Sequence, residues 1–130
     1  MILTSGCFDG LHAGHVRYLE AAKALCSDDE VLVCAVAPDE YIRQAKHREP
    51  FWPQSDRVRA IEGLIAVDAA IEQTALTPAG LIRQHRPRLF VKGPDWDGRL
   101  PADVQVACKE VGTSIAYVDT PGLHVSEAIG

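Results

Sequence analysis

The sequence predicts an α/β fold: a single doubly wound parallel sheet of about five strands with helices on both faces. Three observations predict it. Short β-type runs alternate with longer helical patterns along the chain. One run, Val31 to Val36 (VLVCAV), is continuously apolar, as suits a strand covered on both faces. Proline or glycine stands at several joins between elements, at Pro38, Pro78, Pro87 and Gly112. No repeat, low-complexity tract or linker interrupts the pattern, so residues 1–130 read as one domain.

Each element follows from its own residues. Ile2 to Ser5 is the first strand. Gly14 to Cys26 is helical, with Val16, Leu19, Ala22 and Cys26 on one face and Arg17, Glu20 and Lys23 elsewhere. Val31 to Val36 is the second strand. Residues 38–53 are polar, basic and proline-bounded, and predict a helical turn followed by a loop. Gln54 or Ser55 opens the next helix, whose apolar stripe is Val58, Ile61, Leu64 and Ile65. Ala69 to Glu72 is a short strand. Thr77-Pro78 reads as an N-cap followed by proline at the first helical position, and that helix ends before Pro87. Leu89 to Val91 is a strand that leads into the turn-rich KGPDWDG. Pro101 to Val111 is a helix stopped by Gly112, Ser114 to Val118 is the last strand, and Val125 to Ile129 begins a terminal helix.

Composition narrows the function classes. Apolar residues are 47% of the chain and charged residues 24%, the balance of a globular domain. Thirteen basic and 18 acidic residues give a net charge of −5. A nucleic-acid binder needs a basic surface to displace counterions, so no nucleic-acid partner is expected. A small anion in a local basic pocket remains compatible with that charge. The four cysteines, Cys7, Cys26, Cys34 and Cys108, form no CxxC pair and no zinc-like spacing. Free thiols of this kind suit a reducing cytoplasm. The N-terminus MILTSGCF lacks the n- and h-regions of a signal peptide, and no apolar run approaches a membrane span. The expectation is a cytoplasmic protein without a membrane partner.

The chemistry concentrates in residues 6–15, GCFDGLHAGH, at the carboxyl end of the first strand. In a doubly wound sheet ligands bind at that edge, and KGPDWDG reaches the same rim from a later strand. Gly6, Gly10 and Gly14 permit tight turns and a close backbone approach. Gly14 opens a helix whose N-terminal N–H groups favour an anion, with His15 in its first turn and His12 just before it. Phosphate, with several acceptor oxygens, is the ligand that suits two imidazoles and a helix N-terminus. Other readings stay open here. His12 can be a turn residue and His15 a cap. Cys7 can be packed or reactive. Asp9, His12 and His15 are enough ligands for a catalytic zinc.

GCFDGLHAGH resembles the GxFDxxHxGH signature of the nucleotidyltransferase superfamily, through Gly6, Phe8, Asp9, His12, Gly14 and His15. LFVKGPDWDG is similar to the VKGxD segment of heptose-phosphate adenylyltransferases and the GDDWEG-like segment of glycerol-phosphate cytidylyltransferases. QSDRVRAIEGLIAVDAAI resembles the helix and strand that precede it in both groups. The resemblance implies a Rossmann-like fold and an enzyme that moves a nucleoside monophosphate from ATP or CTP to a small phosphorylated sugar or polyol. The acceptor phosphate attacks in line and pyrophosphate leaves. The partners implied are the nucleoside triphosphate and the phosphorylated acceptor. Magnesium is the implied cofactor, carried on the nucleotide phosphates, with no metal held by protein ligands.

The implied catalytic residues are His12, His15 and Lys46. Lys46 lies in the proline-bounded loop beside Arg43 and Arg48, and either acts as a lid cation or is a solvated charge. Gly6, Cys7, Phe8, Asp9, Gly14, Lys92, Gly93 and Asp95 are the implied nucleotide-binding residues. Trp96 either packs or stacks, and Arg57 reads as a structural partner for a carboxylate. The superfamily's second signature, ISSS or GISTT, is replaced by GLHVSEAIG, where Ser126 keeps a hydroxyl and His124 is a substitute donor. Asp119 stands where the cytidylyltransferases carry an arginine. Two alternatives accompany the transferase reading: a nucleotide-binding module with weak or no turnover, and a metal-dependent hydrolase using Asp9, His12 and His15. The terminal helix is expected to be very short, with part of it either completed by another subunit, as in a homodimer, or absent.

Overall fold

The computed structural model describes residues 1–119. Five strands, β1 (Ile2–Gly6), β2 (Leu32–Val36), β3 (Ala69–Glu72), β4 (Leu89–Lys92) and β5 (Ser114–Tyr117), form one parallel sheet in the order β3-β2-β1-β4-β5. Five α-helices connect them: α1 (Ala13–Ala24), α2 (Asp39–Lys46), α3 (Gln54–Glu62), α4 (Ala79–His85) and α5 (Ala102–Val111). The chain lays β2 and β3 on one side of β1, then returns to place β4 and β5 on the other. The carboxyl ends of β1 and β4 therefore flank the point where strand order reverses, the place where such sheets open a crevice.

Alternation along the strands divides the core into two layers. Ile2, Leu32, Cys34 and Val36 pack with Leu19 of α1 and Ile61 of α3. Leu3, Val33, Ala35 and Phe90 pack on the other face with Ile82 of α4 and Val104 of α5. Every residue of β2 is buried, which is why its sequence is apolar without alternation. The Tyr18 hydroxyl lies 2.6 Å from Thr4 Oγ1 and 2.9 Å from the Val91 carbonyl, tying α1 to β1 and β4.

Several expectations shift. Residues 39–46 form a full helix rather than one turn, so two helices, not one, join β2 to β3. Its cause is local: Ile42 is fully buried, and Asp39 and Glu40 stand in the first turn with Arg43 and Lys46 in the last, matching the helix dipole. Lys46 is consequently the last residue of α2 and not part of a loop. α3 ends at Glu62, so Ile65 falls beyond it and is fully exposed, and Arg57 takes a core-facing place in the stripe. On α1 the buried face carries His15, Leu19 and Ala22, with Val16 only half-buried. Thr77 precedes the α4 N-cap, which is Pro78. Gly112 ends α5 at a φ of +78°, a left-handed conformation natural to glycine. Among the described residues no helix is long and apolar enough to cross a membrane. The expected terminal helix, with His124 and Ser126, lies outside the described residues.

Candidate active site

β1 delivers the chain to the rim at Gly6, where an added Cβ would lie 2.8 Å from the Phe8 ring. Phe8 itself takes a φ of +50°, a conformation that costs a residue with a side chain of order 1–2 kcal/mol. Burial of its ring holds the turn, edge-on to His15 with centroids 5.4 Å apart.

His12 is the N-cap of α1. Its Nδ1 accepts from the Gly14 N–H at 2.9 Å, and its own N–H donates to His15 Nδ1 at 3.2 Å. The pair is a capping box made from two imidazoles. A ring nitrogen that accepts a hydrogen bond carries no proton, so the neutral form of each ring holds its proton on Nε2. The cap thus sets the tautomer of both histidines. The rings lie 4.0 Å apart between centroids. His12 Nε2 is buried with no hydrogen-bond partner among the described residues. Leaving such a group unsatisfied costs about 1–3 kcal/mol, which an arriving acceptor oxygen would offset. No acidic residue stands in the first turn of α1 to repel an anion.

Asp9 does something the sequence did not reveal. Its oxygens accept from Arg48 Nη1 at 2.8 Å, the Phe51 N–H at 2.9 Å and the Trp52 N–H at 3.0 Å. Burial opposes its ionisation, but these three donors outweigh it and hold the carboxyl below its ordinary pKa. Asp9 therefore pins the segment after α2 to the turn after β1. Arg57 completes the clamp. Its side chain is 1% exposed, pairs with Asp39 at 2.6 Å, and donates to the carbonyls of Cys7, Ala37 and Trp52. That is the carboxylate partnership its sequence position suggested. With Asp9 engaged by donors and both histidine Nδ1 atoms accepting N–H groups, Asp9, His12 and His15 do not form a metal site. Among the described residues no three His, Cys, Asp or Glu side chains do.

A cleft of about 350 Å³ opens at the same rim. Gly6, Cys7, Lys46, Lys92 and Asp95 line it, whereas His12 and His15 do not. Of the residues expected from the sequence, His12, Gly14 and His15 build the cap and Gly6, Cys7, Lys46, Lys92 and Asp95 line the cleft, whereas Asp9 and Gly93 do neither. Lys92 Nζ donates to the Ser5 carbonyl at 2.8 Å and stands 4.5 Å from the Trp96 ring centroid. Burial pulls its pKa down to about 8, with Cys7, Cys34 and Asp95 acting the other way. Burial also pushes the Cys7 thiol up, against the fields of Lys46, Lys92 and Arg57. A reactive thiol needs the opposite shift, so Cys7 stands as a packed residue of the cleft wall. Trp96 packs against the core and covers Lys92. Asp95 is exposed, and a Cβ on Gly93 would meet its Oδ1 at 2.9 Å.

Sequence reasoning overlooked two participants. Arg48 stands in the sequence beside Lys46 as a second candidate lid cation or a solvated charge, not as a partner of Asp9, and the short interval between it and Phe51-Trp52 is the one local signal of that role. Gln73 also lines the cleft, and nothing in its local sequence marks it.

A parallel sheet with a glycine-flanked histidine cap at its switch point defines a Rossmann-like α/β protein whose candidate site lies at the carboxyl ends of its strands. The profile of the Cytidylyltransferase-like family matches residues 3–126, and the chain belongs to that family, within the nucleotidyltransferase superfamily. The bifunctional protein HldE of Wolinella succinogenes is 42% identical over 100 residues, 76% of this chain and 20% of that protein. HldE of Coxiella burnetii (strain Dugway 5J108-111) is 40% identical over 130 residues, 99% of this chain and 27% of that protein. The chain therefore spans 20% to 27% of the length of these curated relatives. The crystal structure of the lipopolysaccharide core biosynthesis protein from Thermoplasma volcanium GSS1 superposes with a TM-score of 0.71 at 27% identity, over 89% of this chain and 91% of that one.

Proposed function

We propose that this chain transfers a nucleoside monophosphate from ATP or CTP to a small phosphorylated sugar. An oxygen of the acceptor phosphate attacks the α-phosphorus, a new P–O bond forms, and the bond to the β-phosphate breaks in line to release pyrophosphate. The observation that carries this reading is the imidazole cap. Both rings have Nδ1 committed to backbone N–H groups, so each carries its proton on Nε2, and the His12 Nε2–H is buried with no hydrogen-bond partner among the described residues, ready for a triphosphate oxygen. Charge that accumulates on the leaving pyrophosphate meets donors already oriented, which is where such donors accelerate a reaction most.

The cleft beside the cap suits the acceptor. Lys92, and Lys46 at the end of α2, bring positive charge to it, and the lipopolysaccharide core biosynthesis protein supports an acceptor of sugar type. Catalysis then consists of holding two phosphates in line. Magnesium fits as an ion carried on the phosphate oxygens, because Asp9, the carboxylate of the GCFDGLHAGH turn, is already engaged by Arg48 and two N–H groups. When bound there, the ion would supply charge neutralisation to the triphosphate. The test is pyrophosphate release from ATP and from CTP with a panel of sugar phosphates and glycerol 3-phosphate. Turnover with one pairing supports the reading. Tight nucleotide binding with no release from any pairing would replace it with a binding module.

A further inference from the structure

Gln73 follows β3 directly and is 3% exposed, yet it lines the cleft. Its backbone is fixed on both sides: its N–H donates to the Val36 carbonyl at 2.9 Å, and its carbonyl accepts from Gln54 Nε2 at 2.7 Å. Its side-chain Nε2 donates to the Ala75 carbonyl at 3.0 Å. That bond settles the amide orientation, because the flipped amide would set Oε1 against a carbonyl oxygen. Oε1 is then left buried with no hydrogen-bond partner among the described residues. A buried amide oxygen held in one orientation beside a cleft is an acceptor that awaits a donor.

We propose that Gln73 is a specificity-determining residue for the acceptor, with Oε1 accepting a hydrogen bond from an acceptor hydroxyl. The proposal rests on the sugar-phosphate transferase reading above. A phosphate offers no donor when ionised, so the group Gln73 meets is a hydroxyl. The sheet order places β3 three strands from β4, about 14 Å at roughly 4.8 Å per strand. Lys92 ends β4, so a phosphate near Lys92 and a hydroxyl near Gln73 belong to opposite ends of the acceptor. The hydroxyl read by Gln73 is therefore on a carbon remote from the phosphate. Acceptors that lack a polar group there leave Oε1 unsatisfied and are rejected, which is how a site with a fixed hydrogen-bonding group discriminates.

The test uses hexose and pentose phosphates and their monodeoxy analogues, with pyrophosphate release as the readout. In the wild type, removal of one remote hydroxyl should lower kcat/KM by about ten- to a hundredfold, with the KM for the nucleotide unchanged. In Gln73→Met, which keeps the length of the side chain, that discrimination should fall to within about threefold while the nucleotide KM stays put. A merely structural role for Gln73 would lower turnover with every acceptor equally and preserve the discrimination, and that result overturns the proposal. If Gln73→Met does not fold, the wild-type panel still decides: equal kcat/KM for all monodeoxy analogues overturns it. Absence of pyrophosphate release with every sugar phosphate would instead overturn the transferase reading itself, and the Gln73 proposal with it.

Discussion

Asp9→Asn is the sharpest test of how the site is held. The substitution keeps the shape of a side chain that is 2% exposed and removes its charge. Oδ2 accepts from both Arg48 Nη1 and the Phe51 N–H, so an asparagine oxygen placed there retains two bonds in weaker, neutral form. The amide NH₂ then faces the Trp52 N–H, donor against donor, and orphans it. One N–H left unsatisfied against the buried Asp9 side chain costs about 1–3 kcal/mol, and loss of the charge on the Arg48 bond adds about 1 kcal/mol. The expected destabilisation is about 2–4 kcal/mol. Hydrogen exchange at the Phe51 and Trp52 amides should accelerate by roughly thirtyfold to several-hundredfold, at 1.4 kcal/mol per decade. The pH dependence has a definite sign. The folded-state pKa of Asp9 lies below 3.8, so its stabilisation is present above that value and is lost as pH falls through the folded pKa. Urea melts of the wild type should weaken across that acidic window, and Asp9→Asn should remove this part of the slope. Less than about 0.5 kcal/mol of destabilisation at neutral pH, with unchanged exchange at both amides, would refute the pinning role.

Three further outcomes follow from the same geometry. His15→Ala should lower kcat/KM by about 10²–10³, the usual loss for one donor to developing charge; because it also opens the capping box, a denaturant melt should show a loss of about 1 kcal/mol. Lys92 is charged below about pH 8 and neutral above it, so the KM for the phosphorylated acceptor should rise as pH passes through about 8, and Lys92→Met should abolish that break. The same shift acts on stability: burying the charged lysine is unfavourable, and its contribution improves from about pH 8 up to the ordinary value of 10.5, where the unfolded chain still holds the proton. Gly6→Ala drives a methyl group into the Phe8 ring and should destabilise the fold by about 1–3 kcal/mol, with nucleotide affinity, measured by calorimetry, falling as the ring leaves His15.

The residues that announce themselves in sequence are those whose work is local. His12, Gly14 and His15 lie within one turn, and their hydrogen bonds span two or three positions, so a motif of ten residues contains the cap entire. The unbroken apolar run of β2 contains its burial on both faces, and the alternation of elements contains the parallel sheet. Residues 39–46 carry a weaker local mark, because their one buried anchor, Ile42, makes too little periodic signal to separate a helix from a turn. What tertiary structure alone decided is the partnership between distant segments. Asp9 meets donors 39 to 43 residues away, and Arg57 reaches Cys7 across 50. Gln73 enters the cleft because β3 pairs with β2 in one register and no other. The fold also sets Lys92, which ends β4, and Lys46, which ends α2, on one cleft wall that the histidines at the start of α1 do not line. Local pattern records which face of an element is buried; which group stands opposite depends on crossovers and register, and those are set only when the whole sheet assembles.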